Sequence, residues 1–183
     1  MSFRDAVNRN RIEGFLNQLG KRFRGAGQVY LVGGTTMVYE GFRTQTLDID
    51  IAFELDPKDH TEFIHVVREL KEEMQINVEE ASPRHFIPLP SGYETRCQFL
   101  GHYGKIEVFH FDPYSMALSK IERATAEDFS DVLALLKHNW IQIEMLEEAF
   151  RDILPRYASE SLKGDSLEFK RKFSALKQMW ETE

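Results

Sequence analysis

The sequence contains a single cysteine, Cys97, among its 183 residues. One cysteine excludes an intrachain disulfide and a zinc site built from the cysteines of this chain alone. Cys97 lies in an alternating run, residues 93–100, which predicts a buried position on a β-strand. A buried thiol packs as a small apolar side chain. We therefore interpret Cys97 as a structural residue and not as a nucleophile.

The sequence also lacks a long apolar run. No stretch approaches the roughly 20 apolar residues that cross a bilayer, and residues 1–5 lead into a polar amphipathic segment without the apolar core of a secretory signal. Hydrophobic residues make up 42% and charged residues 29% of the chain, as in ordinary globular proteins. We expect a cytoplasmic protein with no membrane segment.

The sequence has fewer basic than acidic residues, and its formal net charge is −7. This balance argues against a protein that grips a long nucleic acid through many phosphate contacts, and it slightly disfavours tRNA as a substrate. It does not exclude a protein that holds a nucleotide through metal ions. The chain has no internal repeat, and its length suits one functional unit with a helical appendage.

The first half of the chain alternates helix and strand patterns. Residues 29–32 predict a buried strand, and Gly33-Gly34 ends it before a short helix over residues 35–42. Asp56-Pro57 predicts the start of a helix that ends near Gln75, followed by a strand over residues 76–80. Apolar residues at helical spacing predict an N-terminal helix as well: Ile12, Phe15, Leu16, Leu19 and Phe23.

The second half begins with a β-hairpin pattern and then becomes helical. Residues 93–100 and 105–111 alternate around a glycine-containing turn, and helices are expected after Asp112-Pro113, from Thr125, and over residues 141–154 and 165–181. The fold class is α+β (α/β): a mixed β-sheet core flanked by helices, with a C-terminal helical extension. We predict a core with its N-terminal helix over residues 1–112, and a helical region packed on it over residues 113–183.

The candidate site begins with Asp48 and Asp50. Residues 47–54 alternate, so both carboxylates share one strand face, about 7 Å apart along the strand. Phosphoryl and nucleotidyl transfer need carboxylates held close together, because divalent cations must bridge and neutralise a triphosphate. The pair alone does not distinguish such a site from a half-exposed edge strand with solvated aspartates.

A glycine turn upstream favours the metal site. Gly33 and Gly34 lie at a strand-to-helix junction, where glycine allows the backbone to approach an anion. Thr35 and Thr36 add hydroxyl groups at the same place. Thirteen residues separate this turn from Asp48.

The glycine pair, the thirteen-residue spacing and the segment Asp48-Ile49-Asp50-Ile51 resemble the signature of the polymerase-β-like nucleotidyltransferase superfamily. Within it, residues 32–36 and 43–50 most resemble the AbiEii-type branch, which includes toxins of bacterial toxin–antitoxin systems. Residues 119–123 and 128–132 are similar to that branch's lysine, arginine and paired-aspartate helices. The likeness covers roughly residues 28–136.

The resemblance implies a two-metal site for Mg²⁺ or Mn²⁺, an NTP as the donor, and a hydroxyl acceptor that is tRNA or another RNA, a protein or a small molecule. It also implies a partner antitoxin protein. The metal ligands are then Asp48, Asp50 and a third acid on a later strand. We assign the third acid to Glu107, which completes the site or acts as a base, and Asp112 is the alternative.

Further ligands are expected on the helices that resemble the AbiEii-type branch. Lys120 and Arg123 are three residues apart and therefore share a helix face that can hold triphosphate oxygens; the alternative is a helix surface paired with Glu122 or Glu127. Asp131 is the preferred functional aspartate.

Two more residues have two interpretations each. Asp128 is either a functional aspartate or, from its spacing, a helix-capping partner of Thr125. Arg43 either contacts phosphate or braces the loop before Asp48. In a nucleotidyltransferase, Gly33, Gly34 and Thr35 would hold the phosphates.

Three functions follow from these readings. The first is a metal-dependent nucleotidyltransferase that transfers a nucleoside monophosphate from an NTP to a hydroxyl. The second is a catalytically inactive nucleotidyltransferase-fold protein that serves as a nucleotide-binding or protein-interaction module. The third is a structural α/β domain in which the aspartates are surface residues.

Overall fold

A computed structural model describes residues 5–161 and 164–183. The expectation about a signal segment falls largely on residues 1–4, outside the described residues. The chain divides into two compact units. The sheet unit comprises Met1–Ala81 and Gln98–His110, and the helical unit comprises Ser82–Cys97 and Phe111–Glu183. The boundary after Asp112 stays a prediction.

The sheet unit contains a five-stranded mixed sheet in the order β3-β2-β1-β5-β4. The central strand β1 is antiparallel to β2 and parallel to β5, whereas β3 is parallel to β2 and β4 is antiparallel to β5. The strands are β1 Gly27–Leu31, β2 Asp48–Leu55, β3 Asn77–Glu80, β4 Gln98–Tyr103 and β5 Ile106–His110. The helices are α1 Arg9–Arg22, α2 Gly33–Tyr39 and α3 His60–Glu73.

Alternation along β2 separates its two faces as the sequence predicts. Ile49 and Ile51 are buried, and Asp48 and Asp50 are partly buried. Buried apolar residues of α1, α3 and the strands form one cluster. The period of two in a strand therefore leaves the carboxylates on the opposite face from this core.

Three helices of the helical unit, α5, α6 and α8, begin with side-chain N-caps. Asp112 accepts hydrogen bonds from the backbone of residues 114 and 115, Thr125 accepts one from residue 128, and Asp165 accepts two from residues 167 and 168. Such caps satisfy the N–H groups that have no partner within a helix. The helices are α4 Tyr93–Arg96, α5 Pro113–Arg123, α6 Ala126–Lys137, α7 Ile143–Glu160 and α8 Ser166–Glu181.

The predicted fold class is confirmed: a mixed sheet is flanked by helices, and the chain ends in a helix. Among the described helices, none combines the length and the apolar character that crossing a membrane requires.

The predicted strand over residues 93–100 is wrong in its first half. Gly92 adopts a left-handed conformation with φ 73° and starts α4. Cys97 follows that helix and precedes β4, so it is not a strand residue. Burial raises the pKa of its thiol to about 11, which keeps it protonated and agrees with a structural role.

The hairpin turn also lies later than expected. Strand β4 continues to Tyr103, and the turn is made by Gly104 and Lys105. Gly104 has φ +60°, and a Cβ on it would lie 2.1 Å from the carbonyl oxygen of Gly20. Only glycine fits this close approach to α1.

Candidate active site

The glycine turn lies directly against a carboxylate. Gly33 has φ +56°, and a Cβ on it would lie 3.2 Å from Asp50 Oδ2. A Cβ on Gly34 would lie 2.7 Å from Thr46 Oγ1 and 3.5 Å from Arg43 Nη1. The first glycine is thus required by conformation and the second by close packing. The turn opens α2 at Gly33, two residues earlier than the sequence pattern predicts.

Thr35 ties α2 to the strand that carries the aspartates. Its Oγ1 accepts a hydrogen bond from Asp50 N at 2.7 Å and donates to the carbonyl oxygen of Asp48 at 3.4 Å. The residue is fully buried. The hydroxyl therefore fixes the backbone of the Asp-x-Asp segment, and its predicted contact with phosphate stays a prediction.

Two residues of β3 lie beside the aspartates. The parallel register pairs Asp48 with Asn77 and Asp50 with Glu79. Asn77 Nδ2 donates to Asp48 Oδ1 at 2.7 Å and to Glu79 Oε1 at 2.8 Å. Sequence reasoning missed both residues. Their alternation with buried Val78 was visible, but the strand next to β3 cannot be identified from the pattern alone.

The predicted third acid lies elsewhere on the sheet. Gln28 is paired with Glu54 on one side and with Glu107 on the other, and Gln28 Nε2 donates to Glu107 Oε2 at 3.2 Å. Glu54 is four residues beyond Asp50, which is about 13 Å along a strand. The structure therefore does not bring Glu107 together with the aspartates.

The alternative third acid, Asp112, already has several partners in the helical unit. Its carboxylate accepts hydrogen bonds from Arg96 Nε and Nη2, each at 2.9 Å, and from Ser115 Oγ at 2.6 Å. It is fully buried and caps α5. These contacts give Asp112 a structural role at the start of α5.

The donor set at the aspartates fits a magnesium ion that is bound together with a nucleotide. Within the described ranges 5–161 and 164–183, no three His, Cys, Asp or Glu side chains are arranged to hold a metal ion. Mg²⁺ is commonly bound by one or two carboxylates plus substrate phosphates and water, not by a complete protein cage. Asp48 and Asp50 supply two carboxylates of this kind.

The predicted helix ligands form an ion-pair network inside the helical unit. Lys120 is 3% exposed, and its Nζ lies 2.6 Å from Asp131 Oδ2 and 3.6 Å from Asp128 Oδ1. Arg123 also pairs with Asp128. The alternative of an exposed helix surface is therefore wrong for Lys120.

Asp128 makes the capping contact with Thr125 that its spacing predicts, and a functional role for it stays a prediction. Thr125 caps α6 by accepting from Asp128 N, and its hydroxyl donates to Asp128 Oδ2 at 2.8 Å. Burial alone raises the pKa of Asp128, but the Thr125 hydroxyl and the charges of Arg123 and Lys120 outweigh it and lower the pKa below its usual value. The carboxylate is ionised and charge-balanced at neutral pH.

The mixed sheet agrees with the fold that the resemblance to nucleotidyltransferases predicts, and the Gly-Gly turn packs against the Asp-x-Asp strand. A family model described as "Nucleotidyltransferase of unknown function (DUF6036)" matches residues 11–181. The chain belongs to this family. No curated protein and no solved structure matches the chain. The family match supports the nucleotidyltransferase superfamily and does not identify the AbiEii-type branch within it.

Proposed function

We propose that the protein is a metal-dependent nucleotidyltransferase that transfers a nucleoside monophosphate from an NTP to a hydroxyl acceptor. One observation carries this proposal: the Gly33 turn lies against the Asp50 carboxylate, and Thr35 fixes the backbone of Asp50. This arrangement places a close-approach backbone turn next to two carboxylates on one strand face. A triphosphate and its cation need both features.

The proposed reaction makes one bond and breaks one. The acceptor hydroxyl oxygen bonds to the α-phosphorus, the bond from the α-phosphorus to the bridging oxygen of pyrophosphate breaks, and pyrophosphate leaves. The hydroxyl proton passes to a carboxylate of the site or to water. Asp48 and Asp50 would hold the divalent cation, which neutralises phosphate charge and activates the hydroxyl when bound.

The test is transfer of label from each α-³²P-NTP, with Mg²⁺ or Mn²⁺, to RNA, protein and small-molecule acceptors. A γ-labelled NTP is the control, because its label leaves with pyrophosphate. We expect Asp50→Asn to reduce transfer by at least about a thousandfold, which corresponds to ~4 kcal/mol of transition-state stabilisation.

Glu54→Gln is the matched variant, since Glu54 lies on the same face of the same strand and is exposed. It should transfer label at the wild-type rate. Equal transfer by the wild type and Asp50→Asn would contradict the proposal. Glu107→Gln then tests the third acid, and the strand register leads us to expect a small loss there.

The inactive binding module remains the second candidate, because the strand register pairs Glu107 with Gln28 and not with the strand segment that carries Asp48 and Asp50. This candidate expects saturable NTP binding in the presence of Mg²⁺ with no label transfer to any acceptor. Isothermal titration with each NTP, followed by the transfer assay on the same sample, separates the two candidates.

The sheet composition bears on the acceptor. None of the five strands contains a lysine or arginine, and phosphate contacts to nucleic acids depend on such residues. We therefore favour a protein or small-molecule acceptor over tRNA. Assignment to the AbiEii-type branch, a toxin role and an antitoxin partner are proposals that rest on the resemblance. Growth arrest on expression of the wild type, but not of Asp50→Asn, is their test.

A further inference from the structure

Three hydrogen-bonded side chains in the sheet unit have no part in the proposed chemistry. His110, at the end of β5, is fully buried. Its Nδ1 lies 3.0 Å from Thr36 Oγ1 and its Nε2 lies 2.7 Å from Glu40 Oε1. Thr36 is in α2 and Glu40 is the C-cap residue of the same helix. One imidazole on β5 therefore holds α2 at two places.

The donors and acceptors of these three side chains determine where their protons lie. Burial lowers the pKa of His110, and the Glu40 carboxylate opposes this only in part, so the imidazole is neutral at neutral pH. The Glu40 carboxylate then requires the proton on Nε2, and Nδ1 accepts from the Thr36 hydroxyl. In an imidazolium, Nδ1–H donates to Thr36 Oγ1 instead, and the hydroxyl turns to the carbonyl oxygen of Leu31, also 3.0 Å away.

An aromatic ring and a guanidinium also act on His110. The Tyr39 ring packs edge-on against the imidazole at 5.3 Å between centroids, and the Arg9 guanidinium lies over the Tyr39 ring at 4.6 Å. Arg9 disfavours the imidazolium through its charge. Glu40 and Arg9 are therefore charges that act on the pKa of His110, and Tyr39 is a titratable residue packed against its ring.

The same helix reaches the aspartates through the neighbouring threonine. Thr35 contacts the backbone of Asp48 and Asp50 on β2, while Thr36 contacts β1 and β5. A shift of α2 would therefore alter the Thr35–Asp50 hydrogen bond and the direction of the Asp50 carboxylate. Groups that orient metal ligands from behind in this way typically change affinity or activity by about 10–100-fold when they are removed.

We propose that His110 is a positioning residue, which with Glu40 and Thr36 holds α2 so that Thr35 keeps Asp48 and Asp50 in the geometry required for nucleotidyl transfer. This inference rests on the proposed function for its effect on the reaction. Its structural part, the coupling of His110 to Asp50, is measurable without any reaction.

The first experiment measures hydrogen exchange of the Asp50 amide by NMR, because this amide donates to Thr35 Oγ1. Glu40 has a side chain that is 30% exposed, so Glu40→Ala should fold. We expect Glu40→Ala and His110→Phe to speed exchange at Asp50 by about tenfold or more, with no change at Val29 in the central strand. Glu40→Gln should restore protection, since its amide oxygen still accepts from Nε2–H.

The second experiment measures transfer kinetics against pH. Glu40→Ala should lower kcat by about 10–100-fold with little change in the KM for the NTP. In Glu40→Gln the acid limb of the kcat profile should move to lower pH, because the carboxylate no longer favours the imidazolium. A merely structural role would not move this limb.

An exposed histidine–glutamate pair on α3 supplies the control. His65 Nδ1 lies 3.5 Å from Glu69 Oε1, with side chains 68% and 48% exposed, and Glu69→Ala should change neither exchange nor kinetics. Wild-type exchange at Asp50 in both Glu40→Ala and His110→Phe would overturn the proposal. If the wild type transfers no nucleotide, the proposed function fails, and the Asp50 exchange still decides whether His110 positions the aspartates.

Discussion

The two aspartate pairs of this chain are held in opposite ways. In the helical unit, Asp131 and Asp128 are buried and contact cations, Lys120 above all. In the sheet unit, Asp48 is partly buried, and its carboxylate accepts from the neutral amide of Asn77. The Asp128–Asp131 pair is already neutralised by the protein, whereas Asp48 is oriented by a neutral amide.

This difference indicates which carboxylates can bind a cation. An additional ion at Asp131 would have to displace a buried ammonium at 2.6 Å, and separating a buried ion pair leaves an uncompensated charge. Asp48 and Asp50 are only partly buried, and Asp48 is held by the neutral amide of Asn77 at 2.7 Å. We therefore expect the helical-unit pair to matter first for stability and the sheet-unit pair first for ligand binding.

The largest expected effect is a loss of stability when the ion-pair network of the helical unit is broken. Lys120→Met leaves Asp131 buried without its ammonium partner, and the free energy of unfolding should fall by about 3–5 kcal/mol. Urea denaturation followed by circular dichroism measures this loss. Asp48→Asn, by comparison, should change the free energy of unfolding by less than about 1 kcal/mol.

The double variant Lys120→Met, Asp131→Leu separates charge from packing. Replacing both partners by apolar groups removes the uncompensated carboxylate, so most of the lost stability should return. A double variant as unstable as Lys120→Met would show that charge burial is not the cause.

The second prediction concerns ligand binding in the sheet unit. A ligand that binds only the folded state at 100 times its Kd stabilises that state by about 2.7 kcal/mol, or roughly 5–10 °C in Tm for a chain of this size. A saturating NTP with Mg²⁺ should produce such a shift in the wild type. Asp48→Asn and Asp50→Asn should abolish it while keeping the wild-type Tm without ligand.

Measuring the Tm shift at a fixed NTP concentration and increasing Mg²⁺ concentrations tests whether binding needs the metal. An NTP that binds without metal would give the same shift at every Mg²⁺ concentration. An equal shift in Asp50→Asn would place the nucleotide away from these aspartates.

The sequence predicted those parts of the fold that depend on local patterns. The alternation over residues 47–54 identified β2 and the faces of Asp48 and Asp50, and Asp112-Pro113 and Thr125 identified two helix starts, because caps and periodicity act within a few residues. The prediction was wrong at residues 93–96, where the pattern of a strand belongs to the helix α4. A period of two is also compatible with a short helix that a left-handed Gly92 begins.

The site was predicted less completely, because its remaining parts depend on strand order. Glu107 looked suitable as a mid-strand acid, but the register along β1 pairs it with Gln28. Asn77 and Glu79 were overlooked, although β3 lies next to β2. Which strands become neighbours, and in which register, is set by packing over long sequence separations and not by any local pattern.

The third prediction tests the glycine turn against another glycine with a similar conformation. Gly33→Ala adds left-handed strain of about 1–2 kcal/mol and brings a Cβ to 3.2 Å from Asp50 Oδ2. Gly41, with φ +80°, has nothing within 4 Å of an added Cβ. Both alanine variants should lose similar stability, but only Gly33→Ala should weaken NTP and Mg²⁺ binding in the thermal-shift assay. Equal binding by the two variants would remove Gly33 from the site.

The smallest expected effect concerns the stability that His110 contributes. His110 is a fully buried base, but its acid partner Glu40 is partly exposed. Burial lowers its pKa from 6.5, so between the folded-state pKa and 6.5 the unfolded chain binds more protons than the folded one. The stability that the neutral imidazole contributes is therefore complete above pH 6.5 and is lost as the pH falls towards the folded-state pKa.

Urea unfolding of the wild type and of His110→Gln from pH 8 to pH 5 measures this contribution as the difference between the two curves. The difference should decrease on acidification, and the matching difference for His65→Gln, on the exposed surface of α3, should stay flat. A His110 difference that grows towards low pH would mean that Glu40 dominates and that the imidazole is charged in the folded state. The buried histidine would then resemble Lys120, a cation neutralised by its own carboxylate, and not the neutral donors that orient Asp48.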